Sequence, residues 1–170
     1  MTLSLAKNIW NANEDGIGHS CINIYEGSSK NPKLWELLEA GILKEKHYGD
    51  VTLKNKALKG SQKVYGPLVL EKIDKFDFKQ LTYDLLIKEF EDFCREDDWG
   101  DDLDVFHKNF EIAICDLNEF DLTSRDFFLI NTQATSNKKL LDPNFYAYFV
   151  CVISTQAGSN IILTLTFGLD

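Results

Sequence analysis

Histidine, cysteine and the acidic residues are where this 170-residue chain has side chains suited to chemistry, with three His and four Cys in total. His19 and Cys21 stand two apart in Gly16-Ile17-Gly18-His19-Ser20-Cys21. In an extended strand, residues two apart share a face, so the imidazole can take the thiol proton and leave a thiolate nucleophile. A working pair also needs a third group to orient the base, and no residue at a fixed spacing supplies one. The segment therefore reads either as a nucleophile pair or as an alternating strand with one incidental histidine. His47 reads as a solvated loop residue, and His107 has no partner at the spacing of a zinc site. Gly16-x-Gly18 lacks the third glycine of a dinucleotide-binding turn, and Gly-Ile-Gly-His-Ser is not a nucleophile elbow.

Oxygen ligands are plentiful in one place. Asp97, Asp98, Asp101, Asp102 and Asp104 crowd a short loop. Calcium takes such ligands, but the EF-hand spacing fails. With Gly100 at the sixth position, Arg95 falls at the first and Trp99 at the fifth. A solvated acidic loop is the plainer reading, with metal at 97–104 as the alternative. No catalytic residue, metal ligand or cofactor is assigned, and the chain is expected not to be an enzyme.

The cysteines, at 21, 94, 115 and 151, are far apart and have apolar or aromatic neighbours. At least three are expected to be buried free thiols, in keeping with a reduced, cytoplasmic protein. The opening MTLSLAKNIWNANEDG lacks the apolar core of a secretory signal. The longest apolar run, Phe145–Ile153, is far too short for a membrane helix.

Hydrophobic spacing predicts the elements that would hold these residues. Residues 2–9 and 20–26 read as a hairpin around Asp15-Gly16. A helix is expected over 32–46, with Pro32 at its first position and Asn31 as cap. Residues 44–63 are lysine-rich and read as a surface connection, and Val64–Leu70 as an edge strand. Asp77-x-x-Gln80 resembles a capping box, opening an amphipathic helix over 78–96. Alternation in Phe110–Leu117 predicts a strand, as do 126–131, 145–154 and 160–168. The strand over 145–154 is apolar on both faces and belongs in the middle of a sheet. The whole reads as a single α+β domain, 1–170: a mostly antiparallel sheet, with a C-terminal hairpin over 145–168, packed on two main helices.

Charge is the remaining signal. The chain carries a net −9, which argues against nucleic-acid binding. Residues 84–126 hold 15 acids and 4 bases, while the rest of the chain holds 12 acids and 14 bases. A concentration of like charge costs stability and suits docking on a basic partner. Trp99 lies inside the acidic run, the composition of an aromatic hot spot with a charged rim. Glu96, Asp97, Asp98, Trp99, Asp101, Asp102 and Asp104 are therefore the candidate partner-binding residues. In size, charge and lack of a catalytic motif, the chain is similar to the class of bacterial immunity proteins that neutralise toxin nucleases. That similarity implies an inhibitor docking its carboxylates on a basic toxin or nuclease domain. A hidden enzyme at His19/Cys21 or the acidic loop, and a self-assembling module, are the alternatives.

Overall fold

The computed structural model describes residues 1–12, 18–44, 47–48, 63–95, 103–141 and 148–169. Its frame is one antiparallel sheet of six strands in the order β1-β2-β8-β7-β6-β5. These are β1 (Leu3–Ala12), β2 (Gly18–Gly27), β5 (Lys79–Leu81), β6 (Arg125–Asn131), β7 (Tyr148–Gln156) and β8 (Ile161–Leu169). Every pairing is antiparallel. β2 and β7 are buried along almost their whole length, as strands with neighbours on both edges and cover on both faces must be. β1 is an exposed edge whose register shifts between Leu5 and Lys7. The expected hairpins at both ends of the chain and the central place of β7 are all present.

Helices cover both faces of the sheet. On one face lie α2 (Tyr83–Phe93) and α3 (Leu103–Asp116). Phe90 and Phe106 pack there with Phe127, Phe167 and the aliphatic residues of β2, β7 and β8. The other face carries α1 (Leu34–Glu39), Tyr48, Phe78, Leu140 and a separate two-stranded hairpin, β3 (Val64–Tyr65) with β4 (Leu68–Val69). The architecture is the α+β class expected, with different helices from those predicted.

Helix 32–46 shrinks to six residues. Gly41 sits at φ +68°, and its N–H bonds to Leu38 O at 3.0 Å, while Ile42 N bonds to Leu37 O at 3.0 Å. This is a Schellman ending, and both Leu37 and Ile42 are fully buried beside it. Nor does Asn31 cap the helix: it takes φ 58° and accepts a hydrogen bond from Gly158 N in the β7–β8 turn.

Helix 78–96 begins later, at Tyr83, with Thr82 as its cap. Lys79, Gln80 and Leu81 instead pair with Leu129, Phe128 and Phe127 as strand β5. Asp77 closes a tight turn onto Asp74 rather than capping a helix.

The largest error lies at 110–117, which is the second half of α3 and not a strand. The buried positions are Phe106, Asn109, Ala113 and Leu117, a helical spacing that the short alternating window hid. Val64–Leu70 is no edge of the main sheet either, because Gly66-Pro67 turns it back on itself. Gly66 has φ +54°, and a β-carbon there would lie 2.3 Å from the Phe149 ring, so only glycine fits.

Candidate functional site

Alternation in β2 puts His19, Cys21, Asn23 and Tyr25 on one face and Ile22 and Ile24 on the other. The register extends each residue into a row across the sheet. Cys21 lies beside Trp10 and Thr166, and Thr166 beside Cys151. Asn23 lies between Asn8 and Thr164, and His19 is opposite Gly168.

These rows are joined by hydrogen bonds. Asn8 Nδ2 donates to Asn23 Oδ1 at 2.6 Å, and Asn23 Nδ2 donates to Thr164 Oγ1 at 3.1 Å. Tyr65 OH meets Thr166 Oγ1 at 2.9 Å. Tyr25 OH donates to Ile42 O at 3.0 Å, so at its 2.8 Å contact with His47 Nδ1 the ring nitrogen is the donor. His47 is thus half-buried and bonded, not the solvated loop residue expected. His19 Nε2 lies 2.6 Å from Tyr48 OH, and its ring stacks on Trp10 with centroids 4.7 Å apart. A β-carbon on Gly168 would sit 2.3 Å from His19 Cε1, so the glycine makes room for the imidazole.

His19 and Cys21 do share a face, as their spacing predicts. Their bonds run elsewhere, however. The Cys21 thiol lies 3.3 Å from His47 O as donor to a carbonyl, and the imidazole is engaged with a phenol. Burial pushes the neighbouring Cys151 thiol up to about 12, and also raises the Tyr65 and Tyr25 phenols. The neutral forms of these three groups are therefore favoured. Of the four free thiols, Cys21 and Cys151 are buried, Cys94 is half-buried and Cys115 is exposed, so the expectation of three buried cysteines fails. Cys115 lies on the outer side of α3, which the strand reading could not place.

The second candidate region is the acidic one. Glu96, Asp97, Asp98, Trp99, Asp101 and Asp102 fall outside the described residues. Asp104 is described and lies exposed in the first turn of α3, where a carboxylate favours the helix dipole. Among the described residues, no three His, Cys, Asp or Glu side chains form a metal-holding group. Among the described residues of the 84–126 window, eight carboxylates are exposed: Asp84, Glu91, Asp92, Asp104, Glu111, Glu119, Asp121 and Asp126. Hydrogen bonds from Thr123 and Ser124 hold the Asp121 carboxyl below the usual range.

The window's four cations do not match them. Lys88, Arg95 and Lys108 are exposed, but Arg125 is 4 % exposed. Its Nε donates to Ser154 Oγ at 2.9 Å, Nη2 to Ser154 O and Ile161 O at 3.3 and 2.8 Å, and Nη1 to Gln156 Oε1 at 3.3 Å. All four acceptors are neutral, and burial lowers the guanidinium to about 10. Among the described residues of this window, eight exposed carboxylates thus face three exposed cations. Nothing in the sequence marks Arg125 as buried. The polar set in β2 was visible, since every second residue from His19 to Tyr25 is polar or polarizable.

No helix of the described residues is long and apolar enough to cross a membrane. No family model matches the chain, and no solved structure matches it. Over 96 residues, 52 % of this chain, it is 27 % identical to a protein of Candida glabrata named clustered mitochondria protein homolog. The match spans only 8 % of that protein's length. A likeness to part of a large fungal protein overturns the reading of the chain as a bacterial immunity protein against a toxin or nuclease. Charge and size had carried that reading, and neither distinguishes one class of acidic domain from another. What the likeness establishes is that this chain resembles one segment of a much larger fungal protein.

Proposed function

We propose that the chain is a non-catalytic interaction module that recognises a basic protein segment through the exposed carboxylates of residues 84–126. The observation that carries this reading is the imbalance of eight exposed carboxylates against three exposed cations, with the fourth cation buried on neutral acceptors. Exposed charge of one sign speeds encounter with its complement and weakens with salt. The engagement of the His19 ring with the Tyr48 phenol and of the Cys21 thiol with His47 O supports binding over catalysis. The likeness to a segment of a clustered mitochondria protein homolog supports linking the module to the clustering of mitochondria, and we place it in the cytoplasm. Four free thiols suit that reducing compartment.

The test compares two variants of equal net charge. One reverses Asp104, Glu111 and Glu119 to lysine, and the other reverses Glu26, Glu39 and Glu71, exposed acids outside the window. Association with a fluorescent Lys/Arg-rich peptide is followed by anisotropy at low and moderate salt. At least a tenfold loss is expected for the first variant and little change for the second. Equal losses, or no binding by the native chain, would defeat the reading. In cells, the chain is grafted in place of the matching segment of the Candida glabrata protein, and mitochondrial distribution is scored. Wild-type distribution is the expected outcome.

A further inference from the structure

Phe76 is 84 % exposed, far more than any other large apolar side chain among the described residues. A single exposed phenylalanine needs no explanation by itself. Its surroundings single this one out. It sits in the turn Lys75–Asp77, where Phe76 N donates to Asp74 Oδ1 at 2.7 Å and Asp74 N donates to Asp77 Oδ2 at 2.8 Å. Lys139 Nζ reaches both Asp77 oxygens at 2.6 and 2.7 Å and lies 3.7 Å from Asp74 Oδ2, so both carboxylates of the turn have a cation. Three exposed lysines beside the turn have no carboxylate in return. Lys75 Nζ lies 5.0 Å from the ring centroid, and Lys72 Nζ donates to Lys138 O at 2.9 Å, next to Lys139. Lys72, Lys75 and Lys138 form no ion pair among the described residues. Glu71, beside Lys72 in the chain, instead lines a cleft with Leu38 and Val64. The turn therefore presents one aromatic ring among three unmatched ammonium groups.

Charge over the whole molecule is arranged in the same sense. Leu70, Ile73 and Phe78 pack with Leu34 and Leu37 of α1, which puts this turn on the α1 side of the sheet. α2 and α3, which carry five of the eight exposed carboxylates of residues 84–126, cover the opposite side. Within that window the described residues carry ten carboxylates against four cations; outside it they carry ten lysines against six carboxylates. Packed layers stand about 10 Å apart, and physiological salt screens surface charge over about 8 Å. An anionic surface approached from the turn therefore meets the positive part of the molecule, although the chain as a whole is negative. A protein partner would need a pocket for one ring and an apolar rim to keep water out. No other large apolar side chain of residues 70–77 or 137–141 is exposed to build that rim. The boundary between lipid headgroups and acyl chains accepts a lone ring without a matching shape, and lysine stems can lie along it while their ammonium groups stay at the phosphates.

We propose that the Phe76 turn docks this chain on an anionic lipid surface, the ring entering the headgroup boundary and Lys72, Lys75 and Lys138 lying against lipid phosphates. This goes beyond the basic-partner reading and uses different residues, so either can fail alone. Docked this way, Asp104, Glu111 and Glu119 on α3 face away from the lipid. Co-sedimentation of the native chain with vesicles tests it, using phosphatidylcholine alone and phosphatidylcholine with a third of phosphatidylserine. Binding is expected on the anionic vesicles, at least tenfold above the neutral ones, and is expected to weaken as salt rises. A lysine near such a surface contributes about fivefold, so the triple variant Lys72→Glu, Lys75→Glu, Lys138→Glu should lose at least tenfold. Phe76→Ser should lose about fivefold with an unchanged melting temperature, because the exposed ring has no packing to lose. Inorganic phosphate should displace the chain no better than sodium chloride of equal ionic strength. A native chain that ignores both vesicles or binds them equally, or a Phe76→Ser variant that binds as well as the native chain, would overturn the proposal. So would displacement specific to inorganic phosphate, which would mean a site for the free ion. Binding of a poly-glutamate peptide that Phe76→Ser abolishes, by a chain that leaves the vesicles alone, would overturn it in favour of an acidic protein partner.

Discussion

The two faces of the sheet solve the same problem with different chemistry. Under α2 and α3 the core is dry and aromatic: the Phe90 ring stacks on Phe110 at 4.1 Å and on Phe106 at 5.8 Å, and meets Phe167 edge-on at 5.3 Å. Under α1 and the β3–β4 hairpin, Asn23, Thr164, Thr166, Tyr65 and His19 are buried within rows of hydrogen bonds. Dispersion and area hold the first face and tolerate imperfect geometry. The second depends on each donor finding its acceptor, because an orphaned buried group costs more than a made bond contributes. The helical layer can therefore exchange one apolar side chain for another of like volume at modest cost, while the polar face fixes which residues lie above the sheet, Tyr48 and Tyr65 among them.

Substitutions on each face sharpen this contrast. Phe90→Ala should have the largest effect, about 3–5 kcal/mol in urea unfolding, since it removes a ring with three aromatic neighbours and leaves a cavity. A loss under about 1 kcal/mol would mean the helical layer collapses to fill the gap. Asn23→Leu keeps roughly the volume but takes the amide donor from the buried hydroxyl of Thr164, while the exposed Asn8 amide keeps His47 O. About 1–3 kcal/mol is expected from that desolvation. A neutral result would show that the polar rows are dispensable and would erase the distinction between the faces.

Alkaline pH acts chiefly on the polar face. The Cys151 thiol and the Tyr25 and Tyr65 phenols keep their protons in the fold, whereas the unfolded chain ionises near 9 for the thiol and 10 for the phenols. Their contribution is whole below those values and is lost as pH rises above them. Arg125 opposes this above about 10, where the cost of burying its charge is relieved. Phenolate absorbance followed against pH should show Tyr25 and Tyr65 ionising only together with unfolding; early, reversible ionisation of all six tyrosines would contradict their burial. The smallest effect belongs to Ser20, whose buried Oγ has no hydrogen-bond partner and which points toward the dry face. Ser20→Ala should change stability by no more than about 0.5 kcal/mol, in the stabilising direction if at all. A loss beyond about 1 kcal/mol would reveal a hydrogen bond at Ser20 Oγ.

Strands of clear alternation, or of an apolar run on both faces, were legible from residue types. β2, β7 and β8 stand where Ser20–Glu26, Phe145–Ser154 and Asn160–Gly168 place them, because apolar spacing and paired-strand burial agree there. The helices were less so. In Phe110–Leu117, Ile112 and Ile114 mimic a strand, and only the longer view from Phe106 shows the helical period. At 78–82, long-range pairing of Lys79–Leu81 with β6 overrides a local capping signal. The candidate site was half legible. Its residues in β2 declared their common face, but Tyr48, Tyr65 and Thr166 come from distant segments, and no local pattern joins them. The burial of Arg125 is a tertiary property with no signature in the sequence around it.

The strand order has a consequence for how the chain is made. β2 pairs on its inner side with β8, and the Asn23–Thr164 bond closes a loop of 141 residues. Contacts of such separation form late, since loop closure must precede them. During synthesis, the hairpin of β1 and β2 emerges with one long edge unpaired until residues past Thr164 leave the ribosome. For that interval, the polar row of Asn8 and Asn23 meets water on a bare edge. Its amides, suited to wait in solvent, make that edge less prone to premature pairing than an all-aliphatic strand would be.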